Sequence, residues 1–410
     1  MNILHINQCD IVGGAAIAGY RLHQGLLKQD INSRLLVEVK KTDSDRIAVV
    51  PRKPRVENQI FRFSWKLGFH YVHIVSSFDI PKYPFYQEAD ILNFHNLHGN
   101  YFNYLAIPTL TKEKPAVYTL HDMWSFTGHC AYSYDCDRWK IGCGKCRYPD
   151  TYPSVNMDNT HIEWKLKNWI YSKSDLTIVT PSKWLTEQAK QSMLNRFEIH
   201  HIPYGIDTEA YQPLDRELCR KVLGIPNNKK VLMFGSVSVK DPRKGGDLIV
   251  KALQNLPASL KEEIVLLTIG NDGESIAEEV GMKSLHLGYV SSDRLKSIAY
   301  SAADLFIFPT RADNLPLVLQ ESMACGTPIV SFKIGGVPDL VRPGTTGYLA
   351  PVENVQDFCN GITEIVEDRN LREYMSQQCR AIALKEYNLE LQAKRYIQIY
   401  EKLASRKLPN

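Results

Sequence analysis

The stretch DNLPLVLQESMACGTPIVSFKIGG, residues 313–336, decides the fold of this 410-residue chain. It reads in order as an acid, a helix, a tight turn, a buried strand and a glycine loop. Pro316 suits the first turn of a helix, because the N–H that it lacks would have no partner there. Gly326 suits the position just after a helix, where the backbone often adopts the left-handed conformation. With the apolar run at 305–309 before it, the stretch predicts a strand–helix–strand unit of a parallel sheet.

Two carboxylates in this stretch are candidates for binding a phosphorylated sugar. Asp313 precedes the predicted helix and Glu321 lies on it. The helix begins between them at Leu315-Pro316, where free N–H groups and the positive end of the helix dipole suit a phosphate. Glu321 can accept hydrogen bonds from sugar hydroxyls, and Gly335-Gly336 let backbone approach a ligand closely. The alternative is a surface acid and a helix acid in an ordinary βαβ unit.

Apolar runs that alternate with helical patterns continue along the whole chain. This alternation predicts an α/β protein with doubly wound parallel sheets covered on both faces. The length suits two domains, and the boundary is best placed at 202–205. The strands are predicted at 2–6, 33–39, 91–94, 116–120, 176–180 and 198–202, and then at 231–234, 264–269, 284–287, 305–308 and 328–331.

Composition excludes several classes of protein. The chain is 44% hydrophobic and 23% charged, as in ordinary soluble proteins, and its net charge of +4 gives no case for nucleic-acid binding. The N-terminus lacks the basic and apolar regions of a signal peptide, and no apolar run is long enough to span a bilayer. We therefore expect a cytoplasmic protein.

The order and spacing of motifs resemble those of the retaining glycosyltransferases of family 4, which have the GT-B fold. The acid-x7-acid pattern of 313–321 matches the family signature, with Asp in place of the usual first Glu. The other matching motifs are VGGAAIAGYRL (12–22), TLHDMW (119–124), VTPSKWL (179–185), IPYGIDTEAY (202–211), RKGGDL (243–248) and GGVPDLVRPGTTGYLAP (335–351). The resemblance covers nearly the whole chain.

The resemblance implies two Rossmann-like domains that face a cleft. Residues 1–205 would form an acceptor-side domain, and residues 206–387 would bind the nucleotide sugar. The final helix, about 388–410, would return to the first domain. The implied activity is metal-independent and retaining: a hexose-type sugar moves from a nucleoside diphosphate sugar to a hydroxyl of a glycan or lipid-linked acceptor.

The resemblance also assigns roles to individual residues. Lys244 matches the lysine that grips the donor phosphates; Arg243 would substitute for the family's arginine, whose usual place after the strand glycine is taken here by Ser236. His121 would hold the donor sugar through a ring nitrogen or its backbone carbonyl, with Asp122 behind it. The residues expected to act in catalysis are His121, Lys244, Asp313 and Glu321. Those expected to bind the donor are Arg243, Ser236, Val290, Asn314, Leu315, Gly335 and Gly336, while Gly13 and Gly14 form a loop for phosphate or acceptor.

Simpler interpretations stay open for several of these residues. The pattern predicts that a helix begins at Arg243-Lys244, after the strand at 231–234 and a loop, but this pair also fits a solvated basic turn. Gly13-Gly14 fits a structural turn, and His121 fits a buried structural histidine. The D-x-D triplets at 43–45 and 135–137 do not follow apolar strands, so we expect no catalytic metal or other cofactor for the reaction. Rival functions are another GT-B enzyme, such as a nucleotide-sugar 2-epimerase, and a degenerate binding subunit without catalysis.

A basic and aromatic stretch lies at about 55–70. Arginines and lysines alternate with Phe61, Phe63 and Trp65 at helical spacing. This pattern fits a helix that lies in a membrane interface, and it fits equally a packed helix with snorkelling cations. Lipid-linked acceptors are common in the family, so peripheral contact with the inner face of the cell membrane is an expectation.

Four of the nine cysteines lie within seventeen residues, in HCAYSYDCDRWKIGCGKC. Cys130, Cys136, Cys143 and Cys146 could close the tetrahedral shell of a structural zinc. The C-x-x-C pair, with Gly142 before it and Gly144 within it, supports this hypothesis, while the wide first spacing weakens it. Two disulfides, disfavoured in a reducing compartment, and four unligated buried thiols are the alternatives.

Overall fold

The fold is described from a computed structural model that covers residues 1–238 and 240–406. Val239 and residues 407–410 lie outside the described residues, so the last four positions of the predicted final helix are not considered. The chain divides into two compact units, Met1–Gly205 with Glu390–Asn410, and Ile206–Leu389. Each unit is built on one parallel sheet.

The first unit has a seven-stranded sheet in the order β3-β2-β1-β4-β5-β6-β7. Its strands are β1 (Asn2–Cys9), β2 (Asn32–Val39), β3 (Ile47–Val49), β4 (Ile91–Phe94), β5 (Ala116–Thr119), β6 (Leu176–Thr180) and β7 (Glu198–His201). Its helices are α1 (Gly14–Leu27), α2 (Pro54–Lys66), α3 (Pro84–Glu88), α4 (Ile107–Thr111), α5 (Thr160–Tyr171) and α6 (Lys183–Lys190), and it takes up most of α16 (Leu389–Ser405). Short 3-10 turns occupy Val75–Lys82, Tyr104–Ala106, Trp124–Phe126, Arg138–Lys140 and Met193–Arg196.

The second unit has a six-stranded sheet in the order β10-β9-β8-β11-β12-β13. Its strands are β8 (Lys230–Ser238), β9 (Ile264–Asn271), β10 (Ser284–His286), β11 (Leu305–Phe308), β12 (Ile329–Phe332) and β13 (Gly347–Ala350). Its helices are α7 (Arg216–Leu223), α8 (Gly246–Gln254), α9 (Ala258–Glu263), α10 (Gly273–Val280), α11 (Asp293–Ala302), α12 (Leu317–Ala324), α13 (Val337–Leu340), α14 (Val355–Glu367) and α15 (Arg369–Glu386), with a 3-10 turn at Pro242–Lys244.

The predicted fold class, two doubly wound parallel sheets, is confirmed. In each sheet the strand order reverses once, between β1 and β4 and between β8 and β11. Ligands of open α/β sheets bind at the carboxyl ends of the strands beside such a reversal, because the two crossover connections diverge there and leave a crevice. The topology therefore directs attention to the loops after β1, β4 and β5 in the first unit, and after β8, β11 and β12 in the second.

The last helix packs within the first unit. Its apolar face lies in one cluster with residues of β1, β4, β5 and β6, and the buried helix residues are Ala393, Tyr396, Ile399, Tyr400 and Leu403. Two tyrosine hydroxyls are satisfied by polar groups of the sheet: Asn93 Nδ2 donates to Tyr400 at 2.8 Å, and the Tyr396 hydroxyl lies 2.9 Å from that of Thr119. Buried hydroxyls need such partners, so these bonds fix the helix's register on the sheet.

Candidate active site

Three charged side chains meet at the carboxyl edge of the second unit's sheet. Lys244 Nζ lies 2.6 Å and Arg243 Nη1 3.2 Å from the same oxygen, Oδ2 of Asp313. Arg243 Nη1 also donates to the carbonyl of Ala312 at 3.0 Å. The two cations lie in the loop after β8, and the carboxylate lies in the loop after β11. β8 and β11 are neighbouring strands in the sheet. Residues almost seventy positions apart in sequence thus form one cluster of two positive charges and one negative charge.

Burial and charge compete in this cluster. Burial alone would raise the pKa of the Asp313 carboxyl, but Lys244 and Arg243 outweigh it and hold the pKa below its usual value. Burial lowers the pKa of the Lys244 ammonium, against the opposing effect of Asp313. Asp313 is therefore firmly ionised, and the three side chains carry a formal net charge of +1.

Two glycines let the backbone close around this cluster. A Cβ at Gly335 would stand 2.1 Å from the carbonyl oxygen of Asp313, and one at Gly245 would stand 2.1 Å from that of Pro309. Both glycines have positive φ, 52° and 72°. The Gly336 N–H donates to the Asp313 carbonyl at 3.2 Å. The glycine loop thus holds the backbone of Asp313, and any larger residue at Gly335 would push that backbone away.

The basic pair lies in a different element from the one predicted. The sequence predicted that Arg243-Lys244 begins a helix; the structure places both in the 3-10 turn Pro242–Lys244, and α8 begins at Gly246. The reason is Gly245, whose left-handed conformation separates the turn from the helix. Arg243 is also fixed by Asp241, whose carboxylate accepts the Arg243 N–H at 2.9 Å.

The other predicted donor residues lie around the same edge. Glu321 is buried on α12, where Tyr300 donates to its Oε2 at 3.3 Å. Asn314 and Leu315 are buried just before α12, whose N-cap is Pro316. Gly326 has φ 74° directly after the helix, as predicted. Ser236 is half-buried on β8, and Val290 is buried after β10.

In the first unit, the predicted His121-Asp122 pair is joined by two histidines that the sequence analysis missed. His95 Nδ1 lies 3.0 Å from His121 Nε2, and His98 Nε2 lies 2.7 Å from Asp122 Oδ2. His95 and His98 follow β4, and His121 and Asp122 follow the neighbouring β5. The signal was the segment NFHNLHG at 93–99, which places two histidines directly after a predicted strand.

His121 is engaged on both ring nitrogens. Its Nδ1 lies 2.6 Å from the hydroxyl of Tyr204, and its Nε2 faces His95. Burial lowers the pKa of His121 to about 4, so the ring is neutral near pH 7. A sugar hydroxyl that bound either nitrogen would have to displace a protein partner. A contact through the backbone carbonyl of His121 would leave both hydrogen bonds in place.

Asp122 and His98 form a second polar pair that reaches an exposed tyrosine. His98 Nδ1 lies 3.2 Å from the Tyr152 hydroxyl, while Asp122 Oδ1 accepts the N–H of Trp124 at 2.8 Å. Burial would raise the pKa of Asp122, but His98 and the hydrogen bonds lower it. The ring of Tyr152 is 60% exposed although its hydroxyl is held.

The predicted glycines of the loop after β1 lie at the start of α1, next to space that no other described residue fills. Gly13 caps α1 with φ 93°, and Gly14 is the first helical residue. Among the described residues, no atom lies within 4 Å of where a Cβ would stand at either glycine. The loop before them is fixed by Asp10, whose carboxylate accepts the N–H groups of Lys41 and Thr42.

The four clustered cysteines lie on the long loop before α5. All nine cysteines fall within the described residues and are free thiols. Burial raises the pKa of Cys130 to about 12 and that of Cys143 to about 11. His129 Nε2 lies 3.1 Å from Cys146 Sγ. Within residues 1–238 and 240–406, no group of three or more His, Cys, Asp or Glu side chains is arranged to hold a metal ion. The zinc therefore stays a prediction.

The basic and aromatic stretch forms α2, and its aromatic side chains are exposed. Phe63 is 73% exposed, and Phe61 and Trp65 are partly exposed and lie against each other, with ring centroids 5.9 Å apart. Glu57 and Ser64 are the helix residues that face the interior. In the part of the chain that the structure describes, no helix is both long and apolar enough to cross a bilayer.

Comparison with known proteins agrees with this geometry. The family described as Glycosyltransferase Family 4 matches residues 12–210, and Glycosyl transferases group 1 matches residues 215–381. The chain belongs to glycosyltransferase family 4. The two matched segments correspond to the first and second units, so the family assignment extends over both sheets.

One relative matches along its whole length. The putative colanic acid biosynthesis glycosyl transferase WcaC of Escherichia coli K12 is 26% identical over 98% of this chain and 100% of its own. A D-inositol 3-phosphate glycosyltransferase of Mycobacterium leprae is 31% identical, over 44% of this chain and 42% of its own.

Solved structures show the same fold. Sucrose-phosphate synthase from Thermosynechococcus elongatus gives a TM-score of 0.73 at 17% identity, covering 99% of this chain and 100% of its own. Anabaena HepE in complex with UDP and glucose gives 0.68 at 18% identity, covering 98% and 99%. At these identities the likeness establishes the GT-B fold.

Proposed function

We propose that this family 4 glycosyltransferase moves a hexose-type sugar from a nucleoside diphosphate sugar to a hydroxyl of a growing polysaccharide or lipid-linked glycan, with retention of the anomeric configuration. The observation that carries the proposal is the cluster of Lys244, Arg243 and Asp313. It lies at the strand edge beside the reversal between β8 and β11, where a ligand of such a sheet binds.

The cluster supplies fixed positive charge to stabilise the leaving diphosphate. As the bond between the sugar's anomeric carbon and the phosphate oxygen breaks, negative charge develops on the diphosphate. Lys244 and Arg243 stabilise that charge from fixed positions, because Asp313 already holds both cations before the ligand arrives. Glu321 binds ribose hydroxyls, and Val290 lines the base.

The sugar transfer itself is proposed without a protein nucleophile and without a catalytic metal. The acceptor oxygen attacks the anomeric carbon on the face that the phosphate leaves, and the leaving phosphate oxygen takes the acceptor's proton. His121 is assigned to holding the sugar, and the loop at Gly13-Gly14 to binding the phosphate or the acceptor. The relative named for colanic acid biosynthesis supports a polysaccharide acceptor, and the HepE complex makes UDP-sugars the first donors to test.

Contact with a membrane surface is proposed through α2. Its exposed Phe63 and the flanking basic residues Arg55, Arg62 and Lys66 provide an apolar insertion point with charges that suit anionic headgroups. We propose that the protein acts on its acceptor at the inner face of the cell membrane.

The proposal is tested first by thermal-shift measurements with UDP, GDP and ADP. A ligand that binds the folded state alone raises the melting temperature. One of the three should stabilise the wild type, and the effect should be lost in Lys244→Ala. The matching nucleoside diphosphate sugar is then used for transfer assays. Stabilisation that is unchanged in Lys244→Ala would exclude the assigned diphosphate site, and an epimerised donor without transfer would exclude the activity.

A further inference from the structure

Four aromatic side chains of the first unit form one continuous hydrogen-bonded chain. His5 Nδ1 lies 2.8 Å from His95 Nε2, His95 Nδ1 lies 3.0 Å from His121 Nε2, and His121 Nδ1 lies 2.6 Å from the Tyr204 hydroxyl. The residues come from four places in sequence: β1 itself and the segments after β4, β5 and β7. The parallel sheet brings together His95, His121 and Tyr204, which follow the ends of their strands, and His5, which lies in the middle of β1.

The rings are joined edge to edge. Successive centroids are 5.1, 5.3 and 5.5 Å apart, and successive planes are inclined by 29°, 28° and 23°. For the two histidine pairs, the centroid separation is what two ring radii and one short hydrogen bond add up to, so each nitrogen points at the next ring. The Tyr204 hydroxyl meets His121 Nδ1 at an angle, since the two ring centroids are closer than a straight hydrogen bond would place them. His5 and His95 are fully buried, and Tyr204 is nearly so.

The three histidines are neutral. Burial lowers the pKa of His5 and His95 well below the usual value, and it lowers that of His121 to about 4. A neutral imidazole has one N–H and one lone pair. Each link in the chain needs one donor and one acceptor, so every ring must donate in the same direction. The chain therefore has two arrangements, and a change in one ring requires a change in all.

The two arrangements differ in the state of His5 Nε2, at the end of the hydrogen-bonded chain opposite Tyr204. His5 Nε2 is buried and has no hydrogen-bond partner among the residues that the structure describes. If the chain donated from Tyr204 towards His5, that nitrogen would carry an unpaired N–H. If it donates from His5 towards Tyr204, the nitrogen carries a lone pair. Buried unpaired N–H groups are rarer and costlier than under-satisfied acceptors, so the second arrangement is favoured.

We propose that the chain donates from His5 to Tyr204, and that His5 and His95 are positioning residues that fix the tautomer and the ring orientation of His121. His121 then carries its proton on Nδ1 and donates it to the Tyr204 oxygen. The hydroxyl proton of Tyr204 is directed to an acceptor other than His121. The consequence for sugar transfer rests on the proposed role of His121 in holding the donor sugar.

The tautomers are measured directly by long-range ¹H–¹⁵N spectra of protein labelled on histidine, with signals assigned from single substitutions. In the wild type, His5, His95 and His121 should all carry the proton on Nδ1. In Tyr204→Phe the last acceptor is absent. One arrangement then leaves the Nδ1–H of His121 unpaired and the other leaves the Nε2–H of His5 unpaired, so neither is favoured. His5, at the opposite end, should therefore become a mixture of tautomers. Tyr86→Phe, which removes a buried hydroxyl bonded to the Leu110 carbonyl, is the matched control and should leave the histidines unchanged.

Either of two spectral results would overturn the proposal: an Nε2–H tautomer at His121 in the wild type, or a His5 signal that does not respond to Tyr204→Phe in the folded protein.

The effect on the site is measured with His95→Leu and His95→Gln. Leucine has no hydrogen-bonding group, while the glutamine amide offers a donor and an acceptor. We expect kcat/KM for the donor to fall about tenfold in His95→Leu, the equivalent of one buried hydrogen bond, and to recover in part in His95→Gln. Wild-type kcat/KM in a folded His95→Leu variant would exclude the positioning role. Absence of transfer by the wild type would instead contradict the proposed function, and the tautomer spectra remain a separate test.

Discussion

Replacing Asp313 by asparagine should strengthen the binding of a nucleoside diphosphate while it slows sugar transfer. The side chains of Arg243, Lys244 and Asp313 carry a formal charge of +1, and Asp313→Asn raises it to +2 without changing the size of the side chain. At an effective dielectric of about 20, two unit charges about 8 Å apart interact by about 2 kcal/mol, so the Asp313 carboxylate weakens the binding free energy of a diphosphate by about that amount. The removed repulsion corresponds to roughly tenfold to thirtyfold tighter binding.

Turnover should change in the opposite direction. Asp313 fixes Lys244 through the 2.6 Å ion pair, and a less rigidly held ammonium stabilises the transition state less well. We expect kcat to fall by about tenfold. Lys244→Ala takes the cluster charge to zero, so it should weaken diphosphate binding by a similar factor and also lower kcat.

Isothermal titration with the diphosphate that stabilises the wild type measures both binding changes. The difference between Asp313→Asn and wild type should shrink at higher ionic strength, although less than for exposed charges, because the carboxylate is largely buried. Weaker diphosphate binding in a folded Asp313→Asn variant would refute this reasoning, since it would mean that the carboxylate itself holds the ligand.

Four further predictions concern other parts of the molecule. Glu321→Gln should weaken donor binding by about tenfold, because a charged hydrogen bond to ribose is lost, with the melting temperature unchanged; donor binding equal to that of the wild type would exclude the ribose role. Phe63→Ser should reduce sedimentation with anionic vesicles and leave thermal stability intact, since the side chain is 73% exposed; unaltered sedimentation would favour a helix without membrane contact. The pKa of His70 is lowered by burial to about 3, so the unfolded chain takes up the proton first and stability is lost as pH falls from about 6.5 towards 3. In His70→Gln, urea unfolding should show a shallower acid dependence, by up to about 1.4 kcal/mol per pH unit, and an unchanged slope would contradict that assignment. Elemental analysis of protein purified without chelators should show about one zinc per chain, lost in Cys143→Ser; metal-free protein of normal stability would exclude the zinc.

Sequence patterns predicted the central strands well and missed two edge strands. All eleven predicted strands are present, with ends that differ by a few residues. β3 (Ile47–Val49) and β13 (Gly347–Ala350) were missed. Both are short and lie at the edges of their sheets, so each offers only three or four residues of pattern, too few to distinguish a strand from a loop.

The site residues of the second unit were predicted individually, but their contacts were not. The acid-x7-acid pattern pointed to Asp313, and the basic turn to Lys244. That these two form an ion pair depends on the adjacency of β8 and β11, which the alternation of strands and helices does not specify. His95 was missed for a related reason, because its importance comes from the neighbouring strand that carries His121.

The central claim is retaining sugar transfer, and the anomeric configuration of the first product tests it most directly. The wild type is incubated with an α-linked nucleoside diphosphate hexose and an acceptor glycan, and the product is followed by proton NMR from the earliest turnover. The proposed mechanism predicts an α-linked product that appears together with an equal amount of nucleoside diphosphate. A β-linked first product, or an epimerised donor with no new glycosidic bond, would contradict it.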